Sequence, residues 1–306
     1  MEAGESRKGF LYGLGAYALW GVFPLYWTLM EPAGAFELLG HRIVWSAVFM
    51  VALVHLFHRR EQLRQVVSSP RTLRLLVVAA VTITVNWGMF IWGVNNGHVV
   101  ETSLGYFINP LVTVLAGVLV LHERLRPLQW AAVGLAGLAV AGLTVSYGRP
   151  PWVALTLAFS FATYGLVRKQ ASVGAVEGLT VETLLIAPVA LCWLVWLQVT
   201  GGSTATVDLP VHLLLLISTG VITALPLLLF GAAATRVPLT TLGLLQYVAP
   251  TLHLALGVWV FNEPMPLDRL LGFALIWAGL ALFTVDALRH QRQRRLTRRE
   301  LEAAAV

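Results

Sequence analysis

The feature that most constrains this chain is a succession of apolar runs, each close to the ~20 residues that carry an α-helix across the hydrocarbon core of a bilayer. They fall at 10–30, 38–57, 74–94, 99–121, 128–146, 152–167, 181–199, 212–234, 239–261 and 267–287, and the sixth, the shortest, is expected to extend past Arg168. Ten such helices with short loops use up nearly all of the 306 residues and leave no room for a separate soluble domain. Charge agrees with this. Only 12% of the residues are Asp, Glu, Lys or Arg, against roughly a quarter in an ordinary soluble domain. So few charges cannot cover a water-facing surface of this size. The sequence therefore predicts an all-α membrane protein with ten transmembrane helices, embedded in the lipid bilayer.

The basic residues set the expected orientation. With the N-terminus inside, all but three of the 21 Lys and Arg residues fall on the cytoplasmic side, including Arg59, Arg60, Arg64, Arg71, Arg74 and the basic stretch 289–299. Arg42, Arg149 and Arg269 remain outside. This is the asymmetry of the positive-inside rule, and it places both termini in the cytoplasm. The net charge of +6 is thereby a topology signal, and nucleic acid is not an expected partner. The first run follows Arg7 and Lys8 and is too long for a signal-peptide core, so it reads as a retained helix. Cys192 is the only cysteine, which excludes an intramolecular disulfide.

An internal repeat organises the runs. Pro110, Gly117 and Glu123 recur with identical spacing as Pro250, Gly257 and Glu263. Upstream, Leu104-Gly105 corresponds to Leu242-Gly243 and Gly93 to Gly231, and Glu37-Leu38-Leu39 has a fainter echo at Glu182-Thr183-Leu184-Leu185. The repeat divides the chain into an N-terminal half, 1–147, and a C-terminal half, 148–306, each with five spans. An odd number of spans inverts the second copy, so Glu123 is expected inside and Glu263 outside. Inverted repeats with a solute site between them near the midplane are a recurring plan of secondary transporters.

Several segments carry a resemblance. They are His41-Arg42 with Trp45-Ser46, Asn86-Trp87, Trp92-Gly93-Val94-Asn95-Asn96, Ser103-Leu104-Gly105-Tyr106-Phe107-Ile108-Asn109-Pro110, Glu123-Arg124, Tyr164-Gly165-Leu166-Val167-Arg168-Lys169, Ala234-Thr235-Arg236 and Gln246-Tyr247. Spread over nearly the whole chain, they resemble the RarD-type permeases of the EamA family, within the drug/metabolite transporter superfamily. Leu244-Leu245, where that pattern has aromatic residues, is a departure. The resemblance implies ten helices, an inverted five-plus-five repeat and secondary transport across a bacterial cytoplasmic membrane. It identifies no substrate.

Candidate site residues are the polar and aromatic ones at membrane depth, because each is costly in lipid unless it faces a partner, a bundle interior or water. His41 and Arg42 follow Glu37 by four and five residues and share a helical surface with it. They read equally as an interfacial salt bridge with Arg42 reaching outward or as a substrate gate. Asn86, Trp92 and Asn96 read as a mixed amide and aromatic wall, or as glue between helices. Pro110 and Pro250 each remove a helical hydrogen bond, and paired interruptions in two halves point to a binding site. Tyr106, Asn109, Gln246 and Tyr247 are then expected to face a shared central cavity, with Trp20 and Tyr164 as further walls. Glu101 and Glu182 are the candidate proton-coupling carboxylates, with Glu101 placed ahead of Glu182, the alternative being that both sit at the interface.

The sequence contains no G-x-x-x-x-G-K-[ST], H-E-x-x-H or G-x-S-x-G motif, and Asp208, Asp268 and Asp286 lie near loops or helix ends. No catalytic residues, metal site or cofactor are expected. The function this supports is a permease exporting a small metabolite or drug-like solute. A polytopic membrane enzyme or a non-transporting membrane component is the alternative. Ala132 with Ala136, or Gly137 with Ala141, allow close helix packing, within a monomer or across a homodimer.

Overall fold

The computed structural model describes residues 3–121, 125–206, 209–234, 236–237 and 245–304. Eleven helices are present among them: α1 (Ala3–Thr28), α2 (Ala35–Leu56), α3 (Arg60–Val67), α4 (Pro70–Asn95), α5 (Val99–Leu121), α6 (Pro127–Tyr147), α7 (Trp152–Ala171), α8 (Ala175–Val199), α9 (Pro210–Ala234), α10 (Val248–Trp259) and α11 (Leu267–Ala304). Each of the ten expected spans overlaps one of these helices. Six of them, α2, α4, α6, α8, α9 and α11, are individually long and apolar enough to cross a membrane. Glu123, Arg124, Asp208, Thr235, Leu242, Gly243 and Leu244 lie outside the described residues.

Local chemistry sets the helix ends. Ser69 caps α4 by accepting from the Thr72 backbone N–H, with Pro70 in the first turn where a missing N–H costs nothing. α6 opens the same way on Pro127 and stops at Gly148, whose φ of 64° is readily adopted only without a Cβ. The short amphipathic α3 has no buried residue. It was not among the expected elements because it lacks an apolar run.

α7 continues past Arg168 to Ala171, the extension expected of the short run at 152–167. Two helix starts that bear on the site differ from expectation. α8 begins at Ala175, six residues before the expected 181, because its first turns carry Glu177, Thr180, Glu182 and Thr183, which depress local hydropathy while remaining buried. Pro250 lies in the first turn of α10, after a turn at Gln246 and Tyr247. It therefore initiates a helix there, whereas Pro110 lies well inside α5. The expected parity of the two proline interruptions holds in position and fails in geometry.

Large apolar side chains face outward on most helices, among them Val48, Val81, Leu138, Val189, Trp193 and Leu214. In water this surface would be a severe aggregation liability; in lipid it is the required one. The interior holds apolar clusters that join elements from both parts of the chain. One gathers Phe23, Trp27, Leu38, Phe90, Val153 and Leu216; another gathers Leu104, Phe107, Leu143, Ala158, Phe273 and Ile276.

Helix packing obeys an exchange rule. Let α1, α2, α4, α5 and α6 correspond to α7, α8, α9, α10 and α11. Then α2, α5 and α6 each pack on their own counterparts, α8, α10 and α11. α1 packs on α9 and α10, while its counterpart α7 packs on α4 and α5; α2 on α9 is matched by α4 on α8. Swapping the two sets maps these contacts onto one another.

The loops sort onto two ends. At one end, Glu37 beside the α1–α2 loop accepts from Ser203 and Thr204 of the α8–α9 loop. There also Glu263 from the α10–α11 loop accepts from the backbone N–H groups of Val99 and Val100. At the other end Arg59 pairs with Glu177, Arg126 with Asp286, and Gly9 lies against Arg236 and Val237. On α6, Ala132 and Ala136 are buried, with the Ala132 carbonyl lying close to Gly279 of α11, whereas Gly137 and Ala141 face outward. The first small-residue pair serves internal packing.

Candidate functional site

α2 brings Arg42 two turns into the helix, where its residue is only 4% exposed. Its guanidinium carbon sits 4.1 Å from the Trp87 ring centroid, 5.2 Å from Trp27 and 5.9 Å from Phe23. The expectation of Arg42 reaching outward to a salt bridge with Glu37 is not met. Glu37 turns its carboxylate to Ser203 and Thr204, because those groups close the loop above it and leave no oxygen directed down the helix. His41, on the same turn, accepts from the Trp45 indole at 3.3 Å, and its other ring nitrogen is buried without a partner.

Asn86 of α4 is a three-way joint. Its amide nitrogen donates to the Leu157 carbonyl and to the Ser160 hydroxyl on α7, both at 3.0 Å, and its oxygen accepts from the Tyr106 hydroxyl at 3.3 Å. The Tyr106 ring in turn packs on Phe90 and His253. His253, on α10, is fully enclosed and bonds the Trp20 carbonyl at 3.0 Å. Trp20 itself packs edge-on to Tyr17 and near Phe230. Arg42, Asn86, Tyr106, Trp20 and His253 thus belong to one connected interior region fed by α1, α2, α4, α5, α7 and α10.

Glu182 is 1% exposed and lies 3.2 Å from Arg168; the Tyr164 hydroxyl donates to its other oxygen at 3.2 Å. The Arg168 contact has ion-pair distance without hydrogen-bond alignment, since neither contacting atom has a hydrogen-bond partner. A narrow crevice runs along Glu182, Thr183, Trp87, Thr84 and Ile43, with about 10 Å³ of space, room for about one water. Trp87 therefore borders both this crevice and the Arg42 cage.

The remaining candidates separate from this region. Asn109 accepts from Thr113 one turn along α5, and Tyr247 stacks on Phe107 and lies within reach of Gln246 and Thr284. Tyr247 thus lies toward α11, while Tyr106 is turned toward α4 and α10. Trp92 stacks on His98 and packs on Trp152 at the helix end, and Asn96 is exposed, capping α4 through the Trp92 carbonyl. The helix stops at Asn95, so Asn96 cannot contribute to an inward wall. Glu101 accepts from the Val153 backbone N–H at the start of α7 and pairs with Arg149 at 3.1 Å and His98 at 3.5 Å. With Gly97, Glu263, Pro264 and Arg269 these groups line a separate cavity of about 150 Å³ at that end of the molecule.

Trp27, Tyr26 and His253 were not singled out from sequence. His253 had a usable signal, an ionisable residue three positions after Pro250 in an apolar run. Trp27 and Tyr26 had none, because aromatic residues in apolar runs are ordinary core.

Comparison with known proteins follows this architecture. The sequence matches the EamA-like transporter family twice, over residues 7–145 and 150–285. It is 54% identical to Protein RarD of Streptomyces exfoliatus over 302 residues, covering 98% of this chain and 95% of that one. It is 44% identical to Protein RarD of Escherichia coli (strain K12) over 295 residues, covering 96% and 99%. It is 33% identical to the Chloramphenicol-sensitive protein RarD of Pseudomonas aeruginosa over 291 residues, covering 93% and 96%. A solved crystal structure 22% identical in sequence has the same fold, with a TM-score of 0.57 over 92% of this chain and 98% of its own. The chain belongs to the EamA-like transporter family, as a RarD-type multi-pass membrane permease.

Proposed function

We propose that the protein is a secondary permease that moves a small amphipathic metabolite or drug-like solute out of the cytoplasm, through a site between two inverted halves, 1–147 and 148–306. Ten crossings with both termini cytoplasmic fit the sorting of the loops onto two ends and the bias of the basic residues. The observation that carries the reading is the position of the buried polar groups. Arg42, Asn86, Tyr106, Glu182 and His253 gather where helices of the two halves meet, which is where this transporter plan places its substrate. Trp20, His41 and Tyr164 border the same region. Gln246 and Tyr247, beside Thr284 of α11, and Asn109 of α5 are further candidate contacts on this reading. The crevice at Glu182 is too narrow for a solute, so transport on this reading requires α2, α4 and α8 to separate.

The coupling carboxylate on this reading is Glu182. Glu101 already caps α7 and pairs with Arg149, so its negative charge is needed to hold the fold. Glu182 borders the crevice, with only Arg168 and Tyr164 on it, and can exchange a proton with water entering there. Inside-out vesicles test the proposal: uptake from a pool of metabolites, with chloramphenicol included, is compared with and without an imposed proton gradient. Gradient-dependent accumulation of at least one solute, absent from vesicles lacking the protein, is expected. Identical profiles across the pool refute it.

A further inference from the structure

A guanidinium carries five N–H donors and a charge that ordinary proton exchange cannot remove. Buried charges are accordingly paired or hydrogen-bonded. Arg42 departs from this. Among the described residues it has no ion pair, its Nε is buried with no acceptor, and its neighbours are the faces of Trp87, Trp27 and Phe23. The hydroxyls that are its electrostatic neighbours, Tyr26 and Tyr106, direct their bonds elsewhere. Tyr26 bonds the Leu215 carbonyl and Ser218, and Tyr106 bonds Asn86. The acidic groups of α2 and α8, which pack on one another here, are also occupied, Glu37 by Ser203 and Thr204, Glu177 by Arg59, and Glu182 by Arg168 and Tyr164. The rings stabilise the cation through their faces, but they supply no acceptor for its N–H groups.

We infer that Arg42 is an anion subsite of the permeation path, whose missing partner is a carboxylate on the transported solute. This rests on the permease reading above and narrows its substrate to organic monoanions. The aromatic surround then has a second use. Trp27 and Trp87 give the apolar body of such a solute a surface to lie against, while the planar guanidinium can take both carboxylate oxygens at once. Trp87 and Ile43, the residue after Arg42, also border the crevice at Glu182, so parting of α2 from α8 opens that crevice toward the cage. A neutral solute would leave the guanidinium without an acceptor, which gives the site a reason to discriminate by charge.

Isothermal titration calorimetry on the purified full-length protein tests the assignment, with phenylacetate and its neutral isostere phenylacetamide as probes. Saturable binding of phenylacetate is expected, with the amide at least about tenfold weaker. Arg42→Gln should abolish the difference between the two. Arg42→Lys, which keeps the charge and loses the fork, should retain the preference at reduced affinity. If Arg42→Gln fails to elute as a folded species in size-exclusion chromatography, Arg42→Lys and the wild-type comparison of the two probes decide. Equal binding of the two probes, unchanged phenylacetate binding in Arg42→Gln, or no binding of phenylacetate overturns the proposal. Its failure is distinct from failure of the permease reading. Vesicle transport of a neutral solute unaffected by Arg42→Gln removes the anion subsite alone, and charge-selective binding without transport of any solute removes the permease alone.

Discussion

Arg42 and Glu182 each occupy the eighth residue of helices, α2 and α8, that pack against one another. Their separation in sequence is the one that relates Pro110 to Pro250 and Gly117 to Gly257. On that spacing Glu182 falls opposite Arg42, and not opposite Glu37 as its faint sequence echo suggests; both side chains are buried, with Trp87 in contact with the surroundings of each. The two form a polar axis in an otherwise apolar interior, and transport mutants should be read along it.

The first prediction separates the two coupling candidates. Glu182→Gln should fold and lose most proton-gradient-driven transport. Glu101→Gln should lose stability, because a neutral amide is a weaker cap for α7 and a poorer partner for Arg149, while transport per folded molecule stays near wild type. Thermal unfolding in detergent beside vesicle uptake measures both. The reverse pattern would assign coupling to Glu101.

A second prediction concerns the Asn86 joint. Interhelical hydrogen bonds in membrane proteins average about 0.6 kcal/mol and reach about 1.7. Asn86→Ala breaks bonds to Leu157, Ser160 and Tyr106 together, so a loss of roughly 1–2 kcal/mol is expected. Tyr106→Phe removes only the longest of them and should cost less than half as much. Equilibrium unfolding of the two variants gives the ratio, and equal losses would show that Asn86 is not a joint.

The third prediction uses helix approach. A Cβ at Gly220 of α9 would fall on the backbone carbonyl of Trp45 in α2, which cannot swing aside, whereas one at Gly137 of α6 meets nothing within 4 Å. Gly220→Val should abolish recovery of folded protein. Gly137→Ala should change stability by under about 0.5 kcal/mol. Folded yield by fluorescence-detected size exclusion compares them.

Much of the helical layout was legible because spans in lipid must be long, apolar and internally hydrogen-bonded. The expected run at 152–167 and the observed Trp152–Ala171 differ only where Arg168 and Lys169 end the apolar window. Legibility failed where polar residues are buried by partners distant in sequence. An interfacial Glu182 stayed open as the alternative to a coupling carboxylate because Glu177, Thr180 and Thr183 surround it in sequence, and only the packing of α2 and α4 on α8 shows that the turn is interior. Glu101 stood as a coupling candidate because its partner, the first turn of α7, is 52 residues away. Asn96 read as part of an inward wall because nothing in Asn95-Asn96-Gly97 says which residue ends the helix; the structure ends it at Asn95. The pairing of Pro110 with Pro250 located the right helices, but one proline lies inside a helix and the other starts one, a difference that spacing does not encode.

Inversion of the two halves underlies the whole proposed path, and sidedness of thiol labelling measures it most directly. Arg60 and Thr200 are repeat-equivalent, both exposed, and sit beyond the ends of α2 and α8. In a Cys192→Ser background, Thr200→Cys should react with an impermeant maleimide on intact cells and Arg60→Cys only in inside-out vesicles. Labelling of both positions from the same side would contradict an inverted repeat and the site between its halves.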